Sequence, residues 1–218
     1  MIDISTIKVA FFDFDGTLVD SERIYNKYWR LAANENGYNL TFEQALNLRS
    51  LDKRLAREYF IKLFKDDVYD DIRKTRCNMM KKENLEFKKK AGVDEILGFL
   101  KRNNIFSYIV TSSLKNDCLG ALKKSNIDSI CFKDIISVSE VQNGKPFPDV
   151  YLQAIKNSSF KSCECLVFED SPNGVKSAYS AGCKVCMIPE LDNPTEEISK
   201  NCSEIVGSFS EFVAKREA

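Results

Sequence analysis

Four short polar clusters carry the residue types from which phosphate chemistry is built. Asp13 and Asp15 stand in Asp13-Phe14-Asp15-Gly16-Thr17, directly after the largely apolar run 7–12. A short β-branched and aromatic run reads as a buried strand. Such a strand does not end in two carboxylates unless something pairs with them. Residues i and i+2 share a strand face, so both acids can enter one site, and Gly16 permits a sharp exit. Thr111-Ser112, Lys145 and Glu169-Asp170 follow at the ends of later apolar runs. Together the clusters offer carboxylates, hydroxyl or backbone donors and one ammonium. That inventory suits a phosphate with Mg²⁺, because hard oxygen ligands match this ion and two carboxylates leave room for phosphate and water. A carboxylate can attack phosphorus to form an aspartyl-phosphate. Lys145 and the metal would offset the negative charge crowded between nucleophile and phosphate.

The rest of the composition narrows the chemistry. The chain contains no histidine, which excludes Ser-His-Asp and Cys-His catalysis, imidazole-ligated zinc and histidine general bases. Proton transfer falls to carboxylates, Lys, Tyr or Cys. Lys+Arg and Asp+Glu are both 32, so no global field favours nucleic acid or a membrane, and a small-molecule substrate is expected. The first residues lack a basic, then apolar, leader pattern, and no apolar run approaches the roughly 20 residues of a membrane span. A cytoplasmic protein with its eight cysteines reduced is the resulting expectation, and a monomer the simplest state. Cys163-x-Cys165 and Cys183-x-x-Cys186 have faint metal spacing but read as strand-associated thiols.

The elements that must position these residues follow from periodicity. From Ser21 to about Lys90 the pattern is helical, with Ile24, Tyr28, Leu31 and Leu55, Tyr59, Leu63 at helical spacing and no convincing strand. Thr41 with Gln44 predicts a capping box. Beyond Lys90, strands are predicted at 105–110, 135–138, 166–168, 185–188 and 205–206, alternating with helices. Pro172 and Gly182 bracket one of these helices. Alternation of this kind implies an α/β fold with a parallel, doubly wound, Rossmann-like sheet whose strand carboxyl ends build the site. Residues 20–89 are then an inserted all-α, four-helix cap domain, and 1–19 with 90–218 the core domain. The cap's hinges fall near Val19-Asp20 and 88–92.

Taken in order, the motifs are Asp13-Phe-Asp15-Gly-Thr17, Ile109-Val-Thr111-Ser112-Ser113, Gly144-Lys145-Pro-Phe-Pro-Asp149 and Val167-Phe-Glu169-Asp170-Ser-Pro-Asn-Gly174. Over essentially its whole length the chain resembles the haloacid dehalogenase superfamily of phosphatases. It is most similar to the β-phosphoglucomutase-like branch and to pseudouridine-5′-phosphatase-type enzymes. The resemblance implies a Mg²⁺-dependent phosphomonoester hydrolase acting on a small phosphorylated metabolite, such as a sugar phosphate or a nucleoside monophosphate like pseudouridine 5′-phosphate. It makes Asp13 the nucleophile and Asp15 the acid and base. Thr111, the Ser112 amide and Lys145 become phosphate ligands. The metal would be held by Asp13, Asp170, Glu169 and the Asp15 carbonyl.

The family's mutases carry a histidine where this chain has Tyr25, which weakens a phosphoglucomutase reading. A glycine common in the relatives' cap loop is replaced in Leu48-Arg49-Ser50-Leu51-Asp52-Lys53, where Arg49 and Lys53 are candidate substrate contacts. Tyr25, Tyr28 and Trp29 read first as cap core. A receiver-like signalling module shares the residue inventory but lacks an inserted cap and is shorter.

Overall fold

A computed structural model describes residues 1–83 and 85–217. Eight strands and ten α-helices alternate along these residues in three blocks. The first block is β1 (Val9–Phe12), β2 (Val19–Asp20) and helices α1 (Glu22–Glu35), α2 (Phe42–Leu46), α3 (Lys53–Phe64) and α4 (Tyr69–Lys82). The second runs through β3 (Lys88–Lys89), α5 (Val93–Arg102), β4 (Phe106–Thr111), α6 (Lys115–Lys124) and β5 (Ile135–Ser137). The third holds α7 (Asp149–Ser158), β6 (Cys165–Glu169), α8 (Pro172–Ser180), β7 (Lys184–Met187), α9 (Glu196–Lys200), β8 (Glu204–Ile205) and α10 (Phe209–Glu217).

Six strands form one parallel sheet in the order β5-β4-β1-β6-β7-β8. The chain builds outward from β1 in both directions, so β1 marks the point where the strand order reverses. Crevices at such points open outside the carboxyl ends of the strands. All four residues of β1 are buried, and they alternate between faces as period-2 geometry requires. Ala10 and Phe12 join the core under α5, α6 and α10, while Val9 and Phe11 join the core under α7 and α8. On the first face Phe12 stacks on Phe168 with centroids 5.0 Å apart, and Phe168 meets Phe212 edge-on at 4.9 Å. Each such pair adds about 0.5–1.5 kcal/mol beyond area burial and fixes the two strands that carry Asp13 and Glu169. The sheet is thus covered on both sides, the doubly wound arrangement the sequence predicts.

Helices α1 to α4 close around a second core of Trp29, Phe60, Tyr69, Ile72, Ala32 and Ala56. The capping box of Thr41 and Gln44 opens α2 as expected. Two details differ from the sequence expectation. Of the stripes Ile24, Tyr28, Leu31 and Leu55, Tyr59, Leu63, Tyr28 is buried and Tyr59 and Leu63 pack against the cap core. Leu31 is exposed, while Trp29 and Phe60 carry the packing, because interlocking aromatics outweigh a simple aliphatic stripe. The segment 20–90 is also not wholly helical: β2 and β3 pair antiparallel, Val19 with Lys89 and Asp20 with Lys88, at the two crossings between sheet and cap. Two-residue strands rich in lysine carry no periodic signal. No helix among the described residues is long and apolar enough to cross a membrane.

Candidate active site

Asp13 sits one residue beyond β1, and its amide donates to the Phe168 carbonyl at 3.0 Å, extending the ladder to β6. Its side chain is therefore locked beside the end of β6, where Glu169 and Asp170 emerge. Lys145, on the loop after β5, is wholly buried and spans the gap. Its Nζ donates to Asp13 Oδ1 at 2.5 Å and to Glu169 Oε1 at 2.6 Å. Burial opposes the Lys145 charge, yet the Asp13 and Glu169 carboxylates outweigh it and hold its pKa above the ordinary lysine value. The Tyr151 hydroxyl also donates to Glu169 Oε1, at 2.7 Å. Gly174, in the first turn of α8, has no room for a Cβ, which would collide with the Glu169 carboxylate.

Two buried carboxylates thus share one ammonium, with a third, Asp170, beside them. Burial, then the neighbouring Glu169 charge, push Asp13 well above the usual carboxylate range and Asp170 up to about 8. Asp13 Oδ2 and Asp170 Oδ2 are buried without a hydrogen-bond partner. Unpaired charge at that depth is costly unless a cation lies nearby. Asp13, Glu169 and Asp170 each offer an oxygen within 4.8 Å of the others. The backbone leaves room beside them: Gly16 has φ +85°, and a Cβ there would lie 2.5 Å from Asp170 Oδ2. An all-oxygen, anionic, partly unsatisfied donor set fits a hard divalent ion.

Asp15, like Asp13, lines a cavity of about 830 Å³ between sheet and cap. Its carboxylate accepts from Ser113 Oγ at 2.7 Å and Ser21 Oγ at 3.0 Å, and the Tyr25 hydroxyl faces it. Burial raises its pKa, against the hydrogen bonds from Ser113, Ser21 and Tyr25. A carboxyl whose pKa lies above its solution value can hold a proton and release it on demand. Thr111 ends β4, buried, with Oγ1 accepting from the Ser113 amide at 3.0 Å. Ser112 lines the same cavity.

The cap-loop candidates Arg49 and Lys53 both line this cavity, and the Arg49 charge reaches Asp170. Arg49 is buried, and its Nη2 pairs with Asp192 Oδ1 at 2.5 Å, tying cap to core. Lys53 is largely exposed, 3.7 Å from Asp70. The sequence reading passed over Glu22, Tyr151 and Arg76. Glu22 opens α1 and looks like an ordinary acid at a helix start, but it is buried, and burial with the Asp170 and Asp15 charges raises its pKa well above normal. Tyr151 sits six residues after Lys145 with no motif to mark it. Arg76 lies on α4 among many cap cations, with no one-dimensional signal to distinguish it.

A family model described as haloacid dehalogenase-like hydrolase matches residues 10–188, the span from β1 to just past β7. This chain belongs to that family. It is an enzyme, a hydrolase of the haloacid dehalogenase type. It is 30% identical over 227 residues to a Saccharomyces cerevisiae protein named "Probable pseudouridine-5′-phosphatase", covering 94% of each chain. It is 28% identical over 185 residues to the "Phosphorylated carbohydrates phosphatase" of Thermotoga maritima, covering 81% of this chain and 82% of that one. A hydrolase from Pseudomonas syringae superposes with a TM-score of 0.82 at 20% identity, covering 96% of this chain and 98% of that one, a likeness of fold.

Proposed function

We propose that this hydrolase is a Mg²⁺-dependent phosphatase of small phosphorylated metabolites, a sugar phosphate or a nucleoside monophosphate, working through an aspartyl-phosphate on Asp13. The observation that carries the reading is the buried cluster of Asp13, Lys145, Glu169 and Asp170 with Asp15 facing the cavity above it. The relatives' names point to pseudouridine 5′-phosphate and to phosphorylated carbohydrates as the first compounds to try. Asp13, Asp170 and Glu169, with the Asp15 carbonyl, would hold Mg²⁺, which when bound supplies positive charge against the phosphoryl oxygens.

Thr111 and the Ser112 amide orient the phosphoryl group, and Lys145 steadies both it and Asp13. An Asp13 carboxylate oxygen attacks phosphorus as the bond to the leaving oxygen breaks. Asp15 gives its proton to that oxygen, and the alcohol departs. Asp15, now ionised, takes a proton from water. The water oxygen attacks phosphorus, the bond to Asp13 breaks, and both acids return to their starting states. The cap, residues 20–89 pivoting on β2 and β3, admits substrate when open and excludes bulk water when closed. The eight free cysteines suit a cytoplasmic setting, and a monomer is the state we propose.

The test is phosphate release from p-nitrophenyl phosphate and a metabolite panel that includes pseudouridine 5′-phosphate, with Mg²⁺ and with chelator. Mg²⁺-dependent release from at least one ester is the expected result. Equal release after exhaustive chelation would remove the metal from the proposal, and no release from any ester would remove the phosphatase.

A further inference from the structure

We propose that Arg76 is the residue with which the cap selects the leaving alcohol, and that it takes carbonyl or carboxylate oxygens carried by that alcohol. The proposal rests on the phosphatase reading above. Tyr69, Arg73, Arg76, Cys77 and Met80 recur at helical spacing and bring one face of α4 to the cavity over Asp15. On that face the Arg76 guanidinium lies 4.3 Å from the centre of the Trp29 ring and 5.2 Å from that of Tyr25. Stacking on two aromatics holds its plane still.

The fork itself is left underused. Nε is buried without a partner, and among the described residues the hydrogen-bond neighbour of the group is Cys77 Sγ, 3.9 Å from Nη2. Thiol sulfur is a weak acceptor. Among the described residues no ion pair joins Arg76 to a carboxylate, although its charge acts on Asp15; Arg49, by contrast, is tied to Asp192.

Its position relative to the chemistry gives the idle fork a use. The Tyr25 hydroxyl faces Asp15, the proton donor to the leaving oxygen, and the guanidinium covers the Tyr25 ring. A group attached to the leaving oxygen has room to extend past Tyr25 toward Arg76, since both line the cavity. A guanidinium has only donors, in a planar fork. It matches oxygens that only accept and lie in one plane, the carbonyls of a nucleobase or a carboxylate, better than polyol hydroxyls that must also donate. In a purely structural role Arg76 would pack against Trp29 and be indifferent to substrate.

Two matched pairs of esters separate these roles. Uridine 5′-monophosphate carries a uracil ring with two carbonyls where ribose 5-phosphate has a hydroxyl, and 3-phosphoglycerate carries a carboxylate where glycerol 3-phosphate has a hydroxymethyl group. The measurement is kcat/KM for all four, with p-nitrophenyl phosphate as reference, in the wild type, Arg76→Gln and Arg76→Lys. The wild type is expected to prefer the carbonyl or carboxylate member of at least one pair by about tenfold or more, the worth of a hydrogen bond to a charged donor. Which pair shows the preference identifies the source of the oxygen. Arg76→Gln is expected to bring that ratio close to one, chiefly through KM. Arg76→Lys, which keeps charge and stem over Trp29, is expected to retain a carboxylate preference better than a carbonyl one, and it serves if Arg76→Gln fails to fold. A wild type that hydrolyses p-nitrophenyl phosphate but prefers neither member of either pair overturns this inference alone, as does a preference that survives both substitutions. A wild type that releases phosphate from nothing overturns the phosphatase reading with it.

Discussion

At the scale of the residue, the site is a problem in buried charge. Lys145 has no exposure and holds two carboxylates, while Asp13 and Asp170 each keep one oxygen unsatisfied. Removing one member of such a set is more damaging than never having built it, because the remaining charges stay buried. Lys145→Met is therefore expected to lower turnover by on the order of 10²–10³-fold, the usual effect of losing a charged group aimed at the reacting centre. Lys145→Arg should not rescue it, since a wider planar group has no space where Nζ sits between oxygens 2.5 and 2.6 Å away. Turnover of Lys145→Met within a few-fold of wild type would contradict this placement. Steady-state phosphate release decides it. The acids were legible in the sequence because they stand at the ends of apolar runs, and the lysine because its Gly144-Lys145-Pro146 motif takes its place in the ordered set of four. Tyr151 and Glu22 were not, because a tyrosine in a helix and an acid at a helix start are what ordinary helices carry.

At the scale of the element, the loop between α2 and α3 docks the cap onto the lysine loop. Asp52 caps α3 by accepting from the Arg54 amide at 2.8 Å, and its other oxygen accepts from the Gly144 amide at 2.7 Å. Its own amide donates to the Lys145 carbonyl at 2.7 Å, and Asn173 Nδ2 donates to the Arg49 carbonyl at 2.8 Å. Asp52→Ala loses a helix cap worth about 1 kcal/mol and releases the neighbour of Lys145. It is expected to lower the thermal midpoint by about 2–4 °C and kcat/KM by more than that loss of stability explains. A variant with the lower midpoint and wild-type kcat/KM would show that the contact stabilises without positioning. The sheet strands were legible from apolar runs, and the cap helices from their spacing. The pairing of β2 with β3 and the Arg49–Asp192 clasp were hidden, since they join residues far apart in the chain and neither partner is unusual where it stands.

At the scale of the molecule, a cation and the fold are linked through pH. Asp170 has its pKa raised to about 8 by burial and then by Glu169, against an ordinary value near 4. For a carboxyl raised on folding, the stabilising contribution is complete below the unfolded pKa and is lost as pH climbs through the folded one. Between about pH 4 and pH 8 the metal-free protein therefore loses stability on account of this group. A divalent cation needs the ionised form, so its binding strengthens over the same window. At a hundred times its Kd, Mg²⁺ contributes about 2.7 kcal/mol, or about 5–10 °C in midpoint for a chain of this size. The shift at a fixed, subsaturating Mg²⁺ concentration is expected to grow from pH 6 to pH 8.5. A shift that is constant or shrinks over that range contradicts the assignment of the metal to this cluster.

On the proposed mechanism Asp13 becomes phosphorylated in each turnover. Quenching the enzyme in acid during hydrolysis and mapping its peptides tests this directly. The prediction is a phosphoryl adduct on Asp13, present with substrate and Mg²⁺, absent with chelator, and absent from an inactive Asp13→Asn variant. Undiminished turnover in Asp13→Asn, or an adduct mapped to another residue, would contradict it.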